Sequence, residues 1–308
     1  MAKPTSSSKV TKQVQYYAEV NGYAVTVNNP TFINAGVISN VDIQLTVDHE
    51  EIRIQGSRHL YADIMMGVEG VITIDYRLLG TSLLRYGITD PNGVGTIEES
   101  LAFLFARKID GVEMFCLAQG CVTEQATTTY DRVPMISQQF YCTSISRWLT
   151  IAELRTALNI AGTGTPQFAA AITAEPWTHL TGSDGNSTSV TVDGNPSDIT
   201  RMTVTVNNNL LKQKPLGYKK VKYVEAGNKV ITIAIEPYLY DNTFFDLVND
   251  FELFDVVGCL KATTPVVNLT VTGIKLNSYG DTSDASGGDF ITTPVNGTAV
   301  EADVPAFP

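Results

Sequence analysis

The sequence predicts a mainly β protein, arranged as two tandem copies of a β-sandwich or partly open barrel with short flanking helices. Val41, Ile43, Leu45 and Val47 alternate with polar residues, as do Met202, Val204 and Val206, which is the period-2 pattern of strands with one buried face. Val71-Ile72-Thr73-Ile74 returns as Val230-Ile231-Thr232-Ile233, with Gly67 and Gly227 ahead of the two runs and a Thr-led, Leu/Phe-rich stretch after each. That marks Val41–Tyr86 as duplicated in Met202–Val248, so the folding unit is about half the chain. Charged residues make up only 17% of the chain, which argues against a coiled coil and leaves sheets as the economical use of so much Val and Thr.

Residues 1–30 read as an N-terminal arm. Its Tyr16, Tyr17, Val20, Tyr23 and Val25 partly alternate until the Asn28-Asn29-Pro30 turn, and such an arm can pair with a neighbour's sheet. The first β domain spans 31–149. Within it the dense Val/Ile/Tyr run from Val68 to Tyr76 reads as a strand buried on both faces or lying against a neighbour, and Met114–Val122 and Thr127–Ile145 as further strands with Pro134 at an edge or bulge. Thr96 and Glu99 form a capping box for a helix with Ile97, Leu101, Leu104 and Phe105 on one face and Gly111 as its stop. A second box, Thr150 with Glu153, opens a helix with Ile151, Leu154 and Leu158 as its apolar face, and that helix and a linker occupy 150–173. The second β domain covers 174–280, with strands at 187–192, 201–206, 219–225, 230–235 and 266–276 and a short helix begun near Thr243. Gly120-Cys121-Val122 and Gly258-Cys259-Leu260 look like equivalent points in the two copies, and the polar, Gly-rich 281–308 reads as a loose tail or arm.

Little chemistry is encoded. The nucleophile elbow, H-E-x-x-H, the phosphate-binding loop and the dinucleotide fingerprint are all absent, so no catalytic residue is assigned. Glu50 and Glu51 are adjacent on a strand and point to opposite faces, so they cannot converge on one bond as acid and base. Cys116, Cys121, Cys142 and Cys259 have no zinc spacing and read as buried thiols, with a disulfide between subunits as the alternative, and no metal or cofactor is expected. The net charge of −11 counts against a surface that clamps nucleic acid through cations. No secretory h-region and no run of about 18 apolar residues occurs, so a soluble protein made in a cytoplasm and without membrane contact is the expectation.

The segment Glu50-Glu51-Ile52-Arg53-Ile54-Gln55-Gly56-Ser57-Arg58, then Tyr61-Ala62 and the strand to Tyr76, resembles the major tail tube proteins of tailed bacteriophages and similar archaeal viruses. The resemblance covers about thirty residues, and Leu210–Tyr223 echoes it without the acidic pair or the Gly-Ser-Arg. It implies a virion structural protein, assembled in the host cytoplasm, whose stacked rings make a hollow channel through which viral DNA slides without specific binding. With one tube-like domain per copy, three chains make a pseudo-hexameric ring, and other tail proteins are the further partners. Glu50, Glu51, Gly56, Ser57 and Arg58 are then the candidate subunit contact, with Arg58 either a bidentate partner for a neighbour's carboxylate or a solvated loop arginine. The alternative is a carbohydrate-binding or adhesive two-domain β-sandwich protein using Tyr16, Tyr17, Tyr23, Trp148 and Trp177 as stacking platforms.

Overall fold

Val, Ile, Phe, Tyr and Thr at alternating positions make strands almost throughout the computed structural model. It describes residues 13–18, 29–35, 37–53, 60–77, 82–88, 100–109, 112–130, 134–160, 167–168, 190–196, 199–215, 218, 221–225, 227–237, 244, 246–247, 250–261, 267–279 and 295–304. The first half of the chain forms β1 (Gln13–Ala18), β2 (Thr31–Asn34), β3 (Val37–Arg53), β4 (Leu60–Arg77), β5 (Leu101–Ile109), β6 (Val112–Tyr130) and β7 (Met135–Ile145). A helical turn at Ser82–Leu84 leads into α1 (Arg85–Ile88), and α2 (Ile151–Ala157) follows β7. After β8 (Gln167–Phe168), the second half forms β9 (Val190–Val192), β10 (Asn195–Pro196), β11 (Ile199–Asn207), β12 (Leu211–Gln213), β13 (Tyr223–Glu225) and β14 (Val230–Pro237). It continues with β15 (Phe254–Lys261), β16 (Val267–Tyr279), β17 (Val295–Ala299) and β18 (Glu301–Asp303).

Sixteen of these strands share one sheet, and only the β12–β13 hairpin stands apart from it. In the first half neighbours run β1-β5-β6-β7-β4-β3, all antiparallel. In the second they run β9-β15-β16-β17-β14-β11, also all antiparallel. The two runs join where β11 pairs with the end of β6, from Met202↔Tyr130 to Asn207↔Gln125.

The sheet folds over a common core. Ile72, Ile74 and Tyr76 of β4, Ile136 and Phe140 of β7, and Val204 and Val206 of β11 face Tyr16, Phe103, Phe105, Val256 and Val271. β6 serves both layers of the first half because it turns at Gly120, whose φ of 60° places it in the left-handed region. A Cβ there would lie 2.0 Å from the Thr143 hydroxyl oxygen, so no larger residue fits.

Four expectations change. Leu101–Ile109 is a strand, not a helix. Leu101, Phe103 and Phe105 face the common core while Ala102, Leu104 and Ala106 face α2, and an unbroken apolar run of this kind also satisfies helical spacing. Thr96 and Glu99 lie outside the described residues. The region read as an N-terminal arm puts β1 between β2 and β5 of its own sheet. Within the region read as a loose tail, β17 is a strand with partners on both sides, β14 and β16, and Val295 is fully buried. Gly120 and Gly258 are also not equivalent, since Gly120 bends β6 with positive φ while Gly258 lies in β15 against the Tyr130 ring. The Thr150–Glu153 box is present as expected, and Leu154 and Leu158 bury themselves on the outer side of β5 and β6.

Candidate functional site

The face of the sheet turned away from the core is polar and spans both halves. Strand alternation places Thr73 and Asp75 of β4, Ser137 and Gln139 of β7, and Gln125, Thr127 and Thr129 of β6 on it, partly accessible. Thr203, Thr205 and Asn207 of β11 continue it, followed by Thr232 of β14 and Asn296 and Thr298 of β17. Its charged groups include Asp42, Glu69, Asp75 and Glu236 against Arg77, Arg201 and Lys275. Local bonds hold the polar groups in place. The Ser137 hydroxyl donates to Asp75 Oδ1 at 2.6 Å, Asn40 Nδ2 donates to Asp75 Oδ2 at 3.2 Å, and the Thr127 and Thr205 hydroxyls meet at 3.2 Å across the join of β6 and β11. A surface of threonine hydroxyls and amides with few and mixed charges offers a polyanion neither a cationic grip nor an apolar one.

The join is fastened by polar contacts as well as by the ladder. Asn208 is buried, its side-chain amide donates to the Thr123 carbonyl at 2.9 Å, and its backbone N–H donates to the Glu124 carbonyl at 2.9 Å. The Lys229 ammonium donates to the Ile88 carbonyl at 2.7 Å, and Lys212 sits 3.2 Å from the Glu124 carboxylate and 4.2 Å from the Tyr141 ring centre. The β12–β13 excursion also lays Val221 and Val224 over Val122 and Tyr141 of the first half. Burial beneath this excursion, then the nearby Glu69 carboxylate, raises the Tyr141 phenol well above its ordinary range, so it stays a neutral packing group. At the core edge the Tyr130 hydroxyl donates to the Gly258 carbonyl at 3.2 Å, tying β6 to β15.

Of the residues singled out in the sequence, Glu50 and Glu51 lie on the outer part of the β3–β4 hairpin, opposite Ile64 and Asp63. Gly56, Ser57 and Arg58 lie outside the described residues. Tyr16 and Tyr17 are buried, and Trp148 lies beneath the Arg107 guanidinium at 3.6 Å, so these three offer no open stacking platform. Tyr23 and Trp177 lie outside the described residues. Cys116, Cys121 and Cys142 are buried free thiols, and burial pushes the Cys116 thiol up to about 11. Among the described residues no cluster of acidic, histidine or cysteine side chains is arranged to hold a metal ion, and no helix is long and apolar enough to cross a membrane. No local pattern pointed to Asn208, Lys212 or Lys229, because each matters through a partner remote in sequence. No protein-family model matches the chain, and no curated protein matches it.

Proposed function

We propose that this chain is a virion structural protein, the major tail tube subunit of a tailed virus, and that it acts by polymerising into stacked rings around a channel for DNA. Each half is one copy of the tube unit. The observation that carries this reading is the shared strand order, β1-β5-β6-β7-β4-β3 beside β9-β15-β16-β17-β14-β11. Register irregularities recur at matching places, at Ile38/Asn40 and Ile199/Arg201, at Leu101/Phe103 and Phe254/Val256, and at Thr123/Gln125 and Leu276/Ser278. Gly120 and Gly273 match as well, with φ of 60° and 63°. In the register these features define, Val41 corresponds to Met202 and Ile74 to Ile235. The Val-Ile-Thr-Ile runs therefore sit two positions apart, and topology supports the duplication better than that tetrapeptide does.

On this reading three chains supply six units to a ring. The polar face lines the channel, and its hydroxyls and amides let the DNA backbone pass without binding. Other tail proteins cap the tube, and assembly takes place in the host cytoplasm. Negative-stain microscopy of the concentrated protein tests the reading, with hollow rods expected. A monomer at every concentration that binds glycans instead would sink it and favour the carbohydrate-binding alternative. Reconstruction of the rods should give threefold symmetry and a channel wall on which carboxylates outnumber Lys and Arg. Sixfold symmetry with the second half outside would overturn the three-chain ring, and a basic wall would overturn the proposed means of passage.

The Glu50–Arg58 segment is the proposed subunit contact, with Arg58 as a fork for a neighbouring carboxylate. Arg58→Glu should leave the circular dichroism of the subunit unchanged and reduce rod yield at least tenfold at equal concentration. Normal rods from that variant would remove the segment from the interface.

A further inference from the structure

β3 is a long strand with one partner. Among the described residues it pairs with β4 and with nothing on its other edge. Its apolar face is also incompletely covered. Val41 and Ile43 are half-buried and Leu45 is 57% exposed, whereas the corresponding Met202, Val204 and Val206 of β11 are 1% exposed or less. Those three residues lie on a strand whose second edge is filled, by β6. The strand corresponding to β6 is β16. On the edge away from β17, its residues 267–274 pair with β15 and its residues 275–279 pair with no described strand. The chain therefore carries one filled copy of this join and the two unfilled halves of a second.

We infer that the second join forms between molecules. The open edge of β3 in one chain pairs antiparallel with the 275–279 end of β16 in the next copy, in the register that β11 and β6 use within the chain. Val206↔Ala126 and Asn207↔Gln125 then become Leu45 opposite Tyr279 and Thr46 opposite Ser278 of the neighbour. The pairing buries Leu45 as Val206 is buried and satisfies two rows of edge N–H and C=O groups that invite pairing with another chain. A contact whose two sides differ is heterologous, and it makes a closed ring when the rotation between copies closes. The outer part of the β3–β4 hairpin, with Glu50 and Glu51, corresponds to the β12–β13 excursion and reaches over the second half of the neighbour as that excursion reaches over Tyr141. The inference rests on the tube reading for its partner, a second copy of this chain, but it has its own test.

Thr46→Cys and Ser278→Cys are combined in one chain, and the assembled protein is oxidised or bridged with a short bismaleimide, with each single variant as control. The expected result is covalent species of two and three chains that require both cysteines and stop at three. Rods without cross-linking would overturn this pairing and leave the tube reading standing. A wild-type protein that neither forms rods nor self-associates would overturn both. Leu45→Asp provides a second route that does not disturb the core, because that side chain is exposed in the single chain. It should keep the wild-type melting temperature and weaken self-association at least tenfold, and unchanged association would count against the pairing.

Discussion

Gln138→Leu should lower the unfolding free energy by about 3–5 kcal/mol, the sum expected when several buried polar groups lose their partner together. Gln138 is fully buried on the core side of β7. Its amide oxygen accepts from the Tyr76 hydroxyl at 2.8 Å, and its amide nitrogen donates to the Thr123 hydroxyl at 2.9 Å and to the Leu83 carbonyl at 3.3 Å. One side chain thus joins β4, β6 and the helical turn before α1 inside an otherwise apolar layer. Leucine fills most of the volume but leaves a phenol, a hydroxyl and a carbonyl away from water. Tyr76 cannot escape by ionising, because burial first and Tyr16 second hold its hydroxyl protonated far above the usual tyrosine range. Tyr76→Phe on the Gln138→Leu background should recover part of the loss, because it removes the orphaned phenol. Denaturant unfolding of the two single variants and the double variant measures this, and additive losses would show that the two groups do not act as a pair.

Phe140→Ala should cost about 3–5 kcal/mol, the range for removing a fully buried ring and leaving a cavity. Phe140 is fully buried, and its ring lies 4.6 Å from that of Phe103, which in turn lies 6.1 Å from Phe105 and from Tyr16. These rings come from β7, β5 and β1, so the cavity opens between the two layers where neither can collapse without shifting the other. Phe140→Leu should retain more than half of the stability lost by the alanine variant. A loss below about 1 kcal/mol for Phe140→Ala would mean that the layers close over the gap, contrary to the packing argument.

The sheets were legible in the sequence because their signal is local. The alternations at Val41–Val47 and Met202–Val206 appear as β3 and β11, and the Thr150–Glu153 box appears as a capped α2. Leu101–Phe105 misled because a run buried on both sides carries no period, so turn residues and an apparent cap decided the reading in place of the neighbours that decide the fold. β17 was missed for a related reason. Val-Asn-Gly-Thr-Ala has weak strand propensity, and it forms a strand because β14 and β16 supply a ladder on each side. The join was illegible because it depends on register between strands far apart in the chain. Only once β6 and β11 are side by side do Asn208 and Lys229 acquire partners.

The position of β17 also bears on how the protein is made. β14 and β16 have both left the ribosome before the strand that must lie between them, so the second layer waits, open, for residues 295–299. All the strands of the first half precede it, and the second half completes its central ladder only when synthesis has passed that point. A chain that ends before Val295 therefore lacks the strand that links β14 to β16.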